Sequence, residues 1–385
     1  MSVQERNVSG HACTIRALKA EVLHVPFRHT FSHASATRKS TETVLVCVEL
    51  EDGSVGWGES CPRSYVTGES VASVAEFTRC VQAELISEIV SVDTLRHWVN
   101  RNRGRIDRNP AAWCAIELAL LDAIADSCGQ SVEALLGLPS IRGKAFRYSA
   151  VLDNSRRSTF DAMLEAYLAI GIQDFKVKLS GDLEADRYKA QAIWKRAEHC
   201  RLRVDGNNLW TQSDEVIDFM SQLDSPLFGI EEPLQPGAFE GMSDIATALG
   251  CKLILDESML KLQDLEQLRA NPEYWVINLR VSKMGGLLRS IELLDMAAEL
   301  QLPIIVGAQV GETSLLTRAA LTAAHYARPH LVAQEGAFST LLLQEDVFYP
   351  NLMFGRGGLL TADTMGSGFG LQYSARDCTR GDEKQ

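Results

Sequence analysis

The sequence predicts an α/β protein in which a mixed α+β unit of about 140 residues precedes a parallel α/β barrel. Three observations carry that prediction. The chain has 385 residues, enough for more than one domain. From about Phe146 onward, eight short apolar runs alternate with amphipathic segments. The ends of five successive runs carry charged residues at nearly even spacing.

In the N-terminal part, Ile15–Pro26 and Thr43–Glu49 have strand character. Glu51-Asp52-Gly53 is a hairpin turn signal, and Val55–Glu59 is the return strand. Ala111–Asp126 is the clearest helix, with Trp113, Ile116, Leu120, Ala123 and Ile124 on one stripe; Pro110 starts it and Gly129 ends it. The eight runs that follow are Arg147–Leu152, Phe175–Leu179, Leu202–Asp205, Leu227–Glu231, Lys252–Asp256, Trp275–Lys283, Pro303–Gln309 and His330–Glu335. Helical patterns lie between them at Leu183–Cys200, Ser213–Leu223, Leu262–Ala270, Leu287–Leu300 and Ser314–Tyr326. Near-continuous aliphatic runs suit strands buried on both faces, and eight of them favour a closed barrel over an open sheet. After about Leu341 no ninth βα unit is legible.

Composition narrows the function. Hydrophobic residues make up 46% and charged ones 23%, an ordinary globular balance. With 38 basic and 50 acidic residues the formal charge is −12, which argues against nucleic acid or an anionic membrane as partner. No apolar run is long enough to span a bilayer, and Met1–Gly10 lacks the charged-then-apolar order of a secretory signal, so the Asn7 sequon is expected to be chance. The nine cysteines are scattered and never spaced C-x-x-C, which fits reduced thiols in the cytoplasm. His29 and His33 have no acidic or cysteine partner nearby, and no zinc pair is expected there.

The chemistry lies at the strand ends: Lys176-Val177-Lys178, Asp205-Gly206-Asn207, Glu231-Glu232-Pro233, Asp256-Glu257-Ser258 and Lys283-Met284-Gly285-Gly286. From Lys178 to Asp205, Glu231, Asp256 and Lys283 the steps are 27, 26, 25 and 27 residues, one βα unit each. All five residues therefore belong at the carboxyl end of consecutive strands, where such barrels carry their active sites. Asp205, Glu231 and Asp256 would converge, and like charges that close need a cation. All-oxygen ligands favour Mg²⁺, or Mn²⁺. Alternation puts Lys176 and Lys178 on one face, and Lys283 arrives from the far side. A cation between ammonium groups suits removal of a proton from the carbon next to a carboxylate. Taken singly, K-x-K, E-E-P and D-E-S are common strand-end and cap sequences. Glu232 and Glu257 adjoin the candidate ligands, but alternation admits one of each pair, and the spacing favours Glu231 and Asp256.

These motifs, with AAWCAIELALLDAIA at 111–125 and GWGES at 56–60, resemble the muconate-lactonizing-enzyme subgroup of the enolase superfamily, in the mandelate racemase/muconate lactonizing enzyme family, over essentially the whole chain. The resemblance implies a modified TIM barrel, (β/α)7β, at 141–340, under an α+β capping domain built from 1–140 and the returning segment 341–385. It implies Mg²⁺ on Asp205, Glu231 and Asp256, with Lys178 and Lys283 as acid/base pair. Lys176 would support Lys178 and the enediolate, and Asn207 would stand beside the metal ligands. A cytoplasmic homo-oligomer acting on a small-molecule carboxylate is expected. The reaction would be cycloisomerisation or racemisation/epimerisation; the alternatives are a syn-dehydratase of the o-succinylbenzoate-synthase type and a non-catalytic binding protein.

Two departures from the family stand out. Dipeptide epimerases of the subgroup carry D-x-D at the eighth strand. Here that strand ends Gln334-Glu335-Gly336-Ala337-Phe338, which argues against a dipeptide substrate. The seventh strand reads Gly307-Ala308-Gln309-Val310-Gly311-Glu312-Thr313, where Glu312 is a candidate supporting residue. Residues of the loops Pro26–Ala36 and Pro62–Glu69 would either touch substrate or pack the domain interface, with Gly53, Gly56 and Gly68 as hinges.

Overall fold

The computed structural model of the chain describes residues 13–33, 36–197, 199–363 and 366–374. Met1–Gly10, with the Asn7 sequon, falls outside them, as do the side chains of His29 and His33 and part of the loop 26–36. In the N-terminal part, β1 (Ile15–Leu23), β4 (Thr43–Leu50) and β5 (Val55–Ser60) form an antiparallel sheet, while β2 (Pro26–His33) and β3 (Ala36–Ser40) make a separate hairpin. Helices follow at Val71–Glu88, Val92–Arg101, Arg103–Asp107, Pro110–Ser127 and Val132–Leu136.

The helix Pro110–Ser127 differs from the expected single stripe: it is buried on nearly every side, from Pro110 through Leu121 and again at Ala123–Ala125. Two layers cover it. On one side the β5 backbone lies against it, because Gly56 and Gly58 have no side chains. A Cβ at Gly56 would stand 2.2 Å from the Ala119 carbonyl oxygen, and one at Gly58 1.8 Å from that of Ala115. Gly56 is thus a contact residue rather than a hinge. On the other side Glu117 accepts a 2.8 Å hydrogen bond from Leu288 N–H, tying the helix to the barrel. Both oxygens of Glu69 accept from the first free amides, Ala111 and Ala112, at 2.8 and 2.9 Å, capping its start.

Next, β6 (Ala145–Arg147) pairs antiparallel with Leu359–Thr361. The barrel then runs β7 (Ala150–Leu152), β8 (Asp174–Lys178), β9 (Arg201–Asp205), β10 (Gly229–Glu231), β11 (Lys252–Leu255), β12 (Trp275–Leu279), β13 (Ile304–Val306) and β14 (Leu331–Gln334). These strands are parallel and lie in sequence order. A backbone bond from Ser149 N–H to the Gln334 carbonyl, 2.8 Å, spans the first and last strands. Helices fill the connections, including two that the pattern did not single out, Arg157–Ala169 and Phe239–Leu249; after β11, where a helix was expected, Leu262–Leu268 is a 3₁₀ helix. Pro272 holds Asn271 out of helical geometry and limits that segment to a short, tight coil.

Outward-facing Leu253, Leu255, Ile277 and Leu279 join the main core under the helices. Inward-facing Ile254, Val276, Ile305 and Ala333 form a small separate cluster. Across from them, alternation turns Asp174, Lys176 and Lys178 of β8 and Arg201, Arg203 and Asp205 of β9 inward. One half of this interior is apolar and the other ionic, where barrels of this kind are usually packed with branched aliphatics. From Leu341 the chain runs back over the N-terminal part. Tyr373 packs on Trp57 with ring centroids 4.0 Å apart, and Asp122 accepts from both Trp57 N–H and Phe369 N–H. Among the described residues no helix is long and apolar enough to cross a membrane.

Gly58→Ala should lower stability by roughly 3 kcal/mol or more, because strand and helix would have to part. A urea unfolding midpoint equal to that of the parent chain would contradict the contact.

Candidate active site

Lys178, Asp205 and Glu231 are direct register neighbours across β8, β9 and β10. Asp256 is the first residue after β11, two beyond Ile254, the register partner of Glu231, and so shares its face. Lys283 is placed differently from expectation. The apolar run Trp275–Lys283 is not one strand: β12 stops at Leu279, and Lys283 sits in a single helical turn, Val281–Met284, ended by Gly285 and Gly286 at positive φ. That turn folds the Lys283 ammonium back over the strand ends. It donates to Asp256 Oδ1 at 2.8 Å and to the carbonyls of Asp256 and Asn278 at 2.6 and 2.8 Å.

The three carboxylates do not converge into one cluster. Among the described residues no three His, Cys, Asp or Glu side chains stand close enough together to hold one ion. Each carboxylate has cations of its own, since buried anions repel one another unless neutralised. Lys178 donates to Asp205 Oδ2 at 2.9 Å and to Asn207 Oδ1 at 2.8 Å. Lys176 reaches both oxygens of Glu231, at 3.1 and 3.2 Å, and Glu335 Oε2 at 2.7 Å. Asn278 Nδ2 donates to Glu231 Oε1 at 3.0 Å. Arg280 pairs with Asp256 and donates to Gln309 Oε1 at 2.9 Å. Gln309 N–H in turn donates to Glu312 at 2.6 Å.

These contacts set the proton affinities. Burial pushes Asp205 up, but Lys178 and Lys176 outweigh it and hold the group at about 2. Burial wins at Glu231, which is raised. Lys176 is raised although burial opposes it, because Glu231, Glu335 and Asp205 surround it. Lys283 is pushed down to about 7, by burial first and by Arg280 second.

The adjoining acid Glu232 has another task. It faces away from Lys176 and accepts from Asp256 N–H and Ser258 N–H, both at 2.7 Å, and from the Ser258 hydroxyl at 2.8 Å. It thereby fixes the backbone that carries Asp256. The N-terminal sheet grips the same carboxyl-end rim after β12 and β13. Glu59 accepts from Thr313 N–H and hydroxyl and from Leu316 N–H. Cys61 N–H donates to Ser282 Oγ, next to Lys283. In the loop Pro62–Glu69, buried Arg63 donates to the Val310 carbonyl across the interface and to the Pro62 carbonyl, while Glu69 caps a helix within the N-terminal part.

Sequence reasoning gave no role to Arg280, Asn278, Glu335, Arg203 or Asp174. Strand alternation is the signal that reaches them: residues 276, 278 and 280 share a face, as do 174, 176 and 178, and 201, 203 and 205.

The model for the mandelate racemase / muconate lactonizing enzyme N-terminal domain matches residues 17–137, and that for the enolase C-terminal domain-like family matches residues 159–377. The chain belongs to the mandelate racemase/muconate lactonizing enzyme family. It is a racemase- or epimerase-like isomerase of the enolase superfamily. An L-Ala-D/L-Glu epimerase of Bacillus subtilis is 27% identical over 338 residues, 84% of this chain and 88% of that one. An N-succinyl-L-Arg/Lys racemase of Bacillus cereus is 22% identical, covering 79% and 82%. Among solved structures, the dipeptide epimerase of Enterococcus faecalis, complexed with Mg and the dipeptide L-Leu-L-Tyr, superposes with TM-score 0.82. It is 21% identical and covers 94% of this chain and 100% of that one. The fold of this family member is thus shared along nearly its full length.

Glu232→Ala would strip two buried amides and a hydroxyl of their acceptor. It should cost about 2–4 kcal/mol of stability, read by chemical denaturation. A loss under about 0.5 kcal/mol would mean that the Asp256 turn is held by something else.

Proposed function

We propose that the chain racemises or epimerises an N-acylated amino acid or dipeptide at the carbon next to its carboxylate, with Lys178 and Lys283 as the two acid/base groups. One observation carries this reading: the two lysines are paired with the outer carboxylates of the row, Lys178 with Asp205 and Lys283 with Asp256, so they flank Glu231 from opposite sides. The relatives named above act, by their names, on dipeptides and N-succinyl amino acids, in both of which the reacting residue's nitrogen lies in an amide.

Asp205, Glu231 and Asp256 would hold a divalent cation if each turned toward it from the lysine or arginine that pairs with it in the structure. All three are buried, all offer oxygen, and two are register neighbours. Mg²⁺, with Mn²⁺ as a substitute, would supply a positive centre for the substrate carboxylate and for the charge that builds on it as the α-proton leaves. The lysines do the rest. A neutral amine on one face takes the α-proton to its Nζ, and the C–H electron pair moves toward the carboxylate. The ammonium on the other face then returns a proton to the carbon and inverts it. Lys283, held near neutrality by burial and Arg280, can serve in both states. Lys176, held charged by Glu231 and Glu335, lends fixed positive charge beside them, and Asn207 orients Lys178. Scattered cysteines and acidic composition support a cytoplasmic setting, and exposed apolar side chains on the returning segment, Tyr349 at 67%, support a homo-oligomer.

Asp205→Asn and Glu231→Gln should each abolish measurable Mg²⁺ binding in calorimetric titration while the circular dichroism spectrum is kept; unchanged binding in both would remove the ligand assignment. Lys178→Ala should retain solvent deuterium exchange at the α-carbon for just one enantiomer, and Lys283→Ala for just the other, with turnover down roughly 10²–10⁴-fold in each. Loss of all exchange in one variant and a merely slower rate in the other would point to a cycloisomerase or dehydratase instead.

A further inference from the structure

The three acids proposed as metal ligands are paired with four cationic side chains, and each of the four has a second anchor of its own. Lys178 also donates to Asn207 Oδ1 at 2.8 Å and Arg280 to Gln309 Oε1 at 2.9 Å. Lys283 donates to the Asn278 carbonyl at 2.8 Å. Lys176 Nζ stands 2.7 Å from Glu335 Oε2. Among the described residues, Glu335 is the only one of these second anchors that carries a charge. Burial explains why Lys176 needs it. The side chains of Lys178 and Arg280 are 13% and 12% exposed and keep part of their hydration, whereas Lys176 is 3% exposed. An ammonium taken out of water requires an anion beside it.

Lys176 has three acids within reach: Glu231 at 3.1 and 3.2 Å, Glu335 at 2.7 Å and Asp205 at 3.9 Å. Two of these, Glu231 and Asp205, are proposed ligands. Once they turn to a divalent cation, Lys176 meets added positive charge and keeps Glu335 alone. Glu335 is itself held from the other side. Its Oε1 accepts from Arg203 Nη2 at 3.0 Å, and Arg203 Nη1 is 3.0 Å from Asp174 Oδ1. Arg201 closes the series on Asp174 Oδ2 at 2.5 Å. Charges therefore alternate in an unbroken column from Arg201, at the start of β9, to Glu231, at the end of β10. Arg203, fully buried, has Ser149 Oγ at 3.0 Å as a further support.

We infer that Glu335 is the standing counter-ion of Lys176, a positioning residue that keeps this ammonium in place when Glu231 is given up to the divalent cation, with Arg203 and Asp174 fixing Glu335 for that task. The inference rests on the ligand assignment above and adds a residue outside the three proposed ligands. Without the Glu335 charge, Lys176 and the divalent cation compete for one carboxylate. Metal binding must then strand an ammonium in an interior closed to water.

Calorimetric titration of Mg²⁺ into the full-length protein tests this without turnover. Glu335→Gln should weaken Mg²⁺ binding at least about tenfold, and Glu335→Asp should recover part of the loss. The same change made beside Lys176→Met should cost less than about threefold, because the competing ammonium is gone. This second comparison strands no ammonium, so it decides the matter even where Glu335→Gln alone unfolds; thermal unfolding of the metal-free proteins identifies that case. Parent-like Mg²⁺ binding in folded Glu335→Gln would overturn the inference. So would a loss of tenfold or more beside Lys176→Met, since Glu335 would then act on the metal by some route other than Lys176. A parent protein that binds no Mg²⁺ would overturn the ligand assignment itself, and the inference with it.

Discussion

Most charges turned into this barrel are buried together with an opposite, and much of the molecule is arranged around those pairs; Glu257 is instead pushed up to about 8 by burial and by nearby Glu232, Asp205 and Glu231. Lys178 with Asp205, Lys176 with Glu231 and Glu335, Arg280 and Lys283 with Asp256, and Arg203 with Asp174 and Glu335 join five strands and one helical turn. Removing one partner of such a pair typically costs about 3–5 kcal/mol, because a bare charge stays behind. The apolar half of the interior, Ile254, Val276, Ile305 and Ala333, has no such requirement. The ionic half therefore dictates strand register, while the apolar half supplies volume.

The second organising element is the helix Pro110–Ser127, a shared wall. Glycines on β5 let the N-terminal sheet approach one side at backbone distance, and Glu117 fixes the other to Leu288, in the helix that follows Lys283. Cys61 N–H on Ser282 Oγ makes a second link to the same turn. The position of the Lys283 ammonium is thus set jointly by the barrel strand before it and by the N-terminal sheet above it. A shift of that sheet is mechanically a shift of one of the two lysines proposed as acid and base.

Much of this was legible in the sequence because it is local or periodic. Eight apolar runs gave eight strands, and the even steps from Lys178 to Lys283 placed five charged residues at one end of them. What escaped was of two kinds. The apolar run through Val281 masked the break at Leu279, since hydrophobicity cannot distinguish a strand from one buried helical turn. The helix Pro110–Ser127 looked one-sided because its second cover comes from a segment about 170 residues away. The partner choices of Arg280, Asn278 and Glu335 were equally hidden. Alternation says which way a side chain points, and the identity of the opposing charge depends on strands that meet only in three dimensions.

The ring closes between β7 and β14, where Ser149 N–H meets the Gln334 carbonyl and Arg203 reaches Glu335 across 132 residues of sequence. This gives the seam a kinetic meaning. A chain emerging from the ribosome places Lys176 and Arg203 long before Glu335 exists, and a seven-stranded intermediate would bury two cations lacking that carboxylate. Such a species gains little by collapsing early, so the ionic half of the barrel should become stable in one late, cooperative step once the eighth strand arrives. The same charges that organise the folded site hold the unfinished chain open until its last barrel strand can be added.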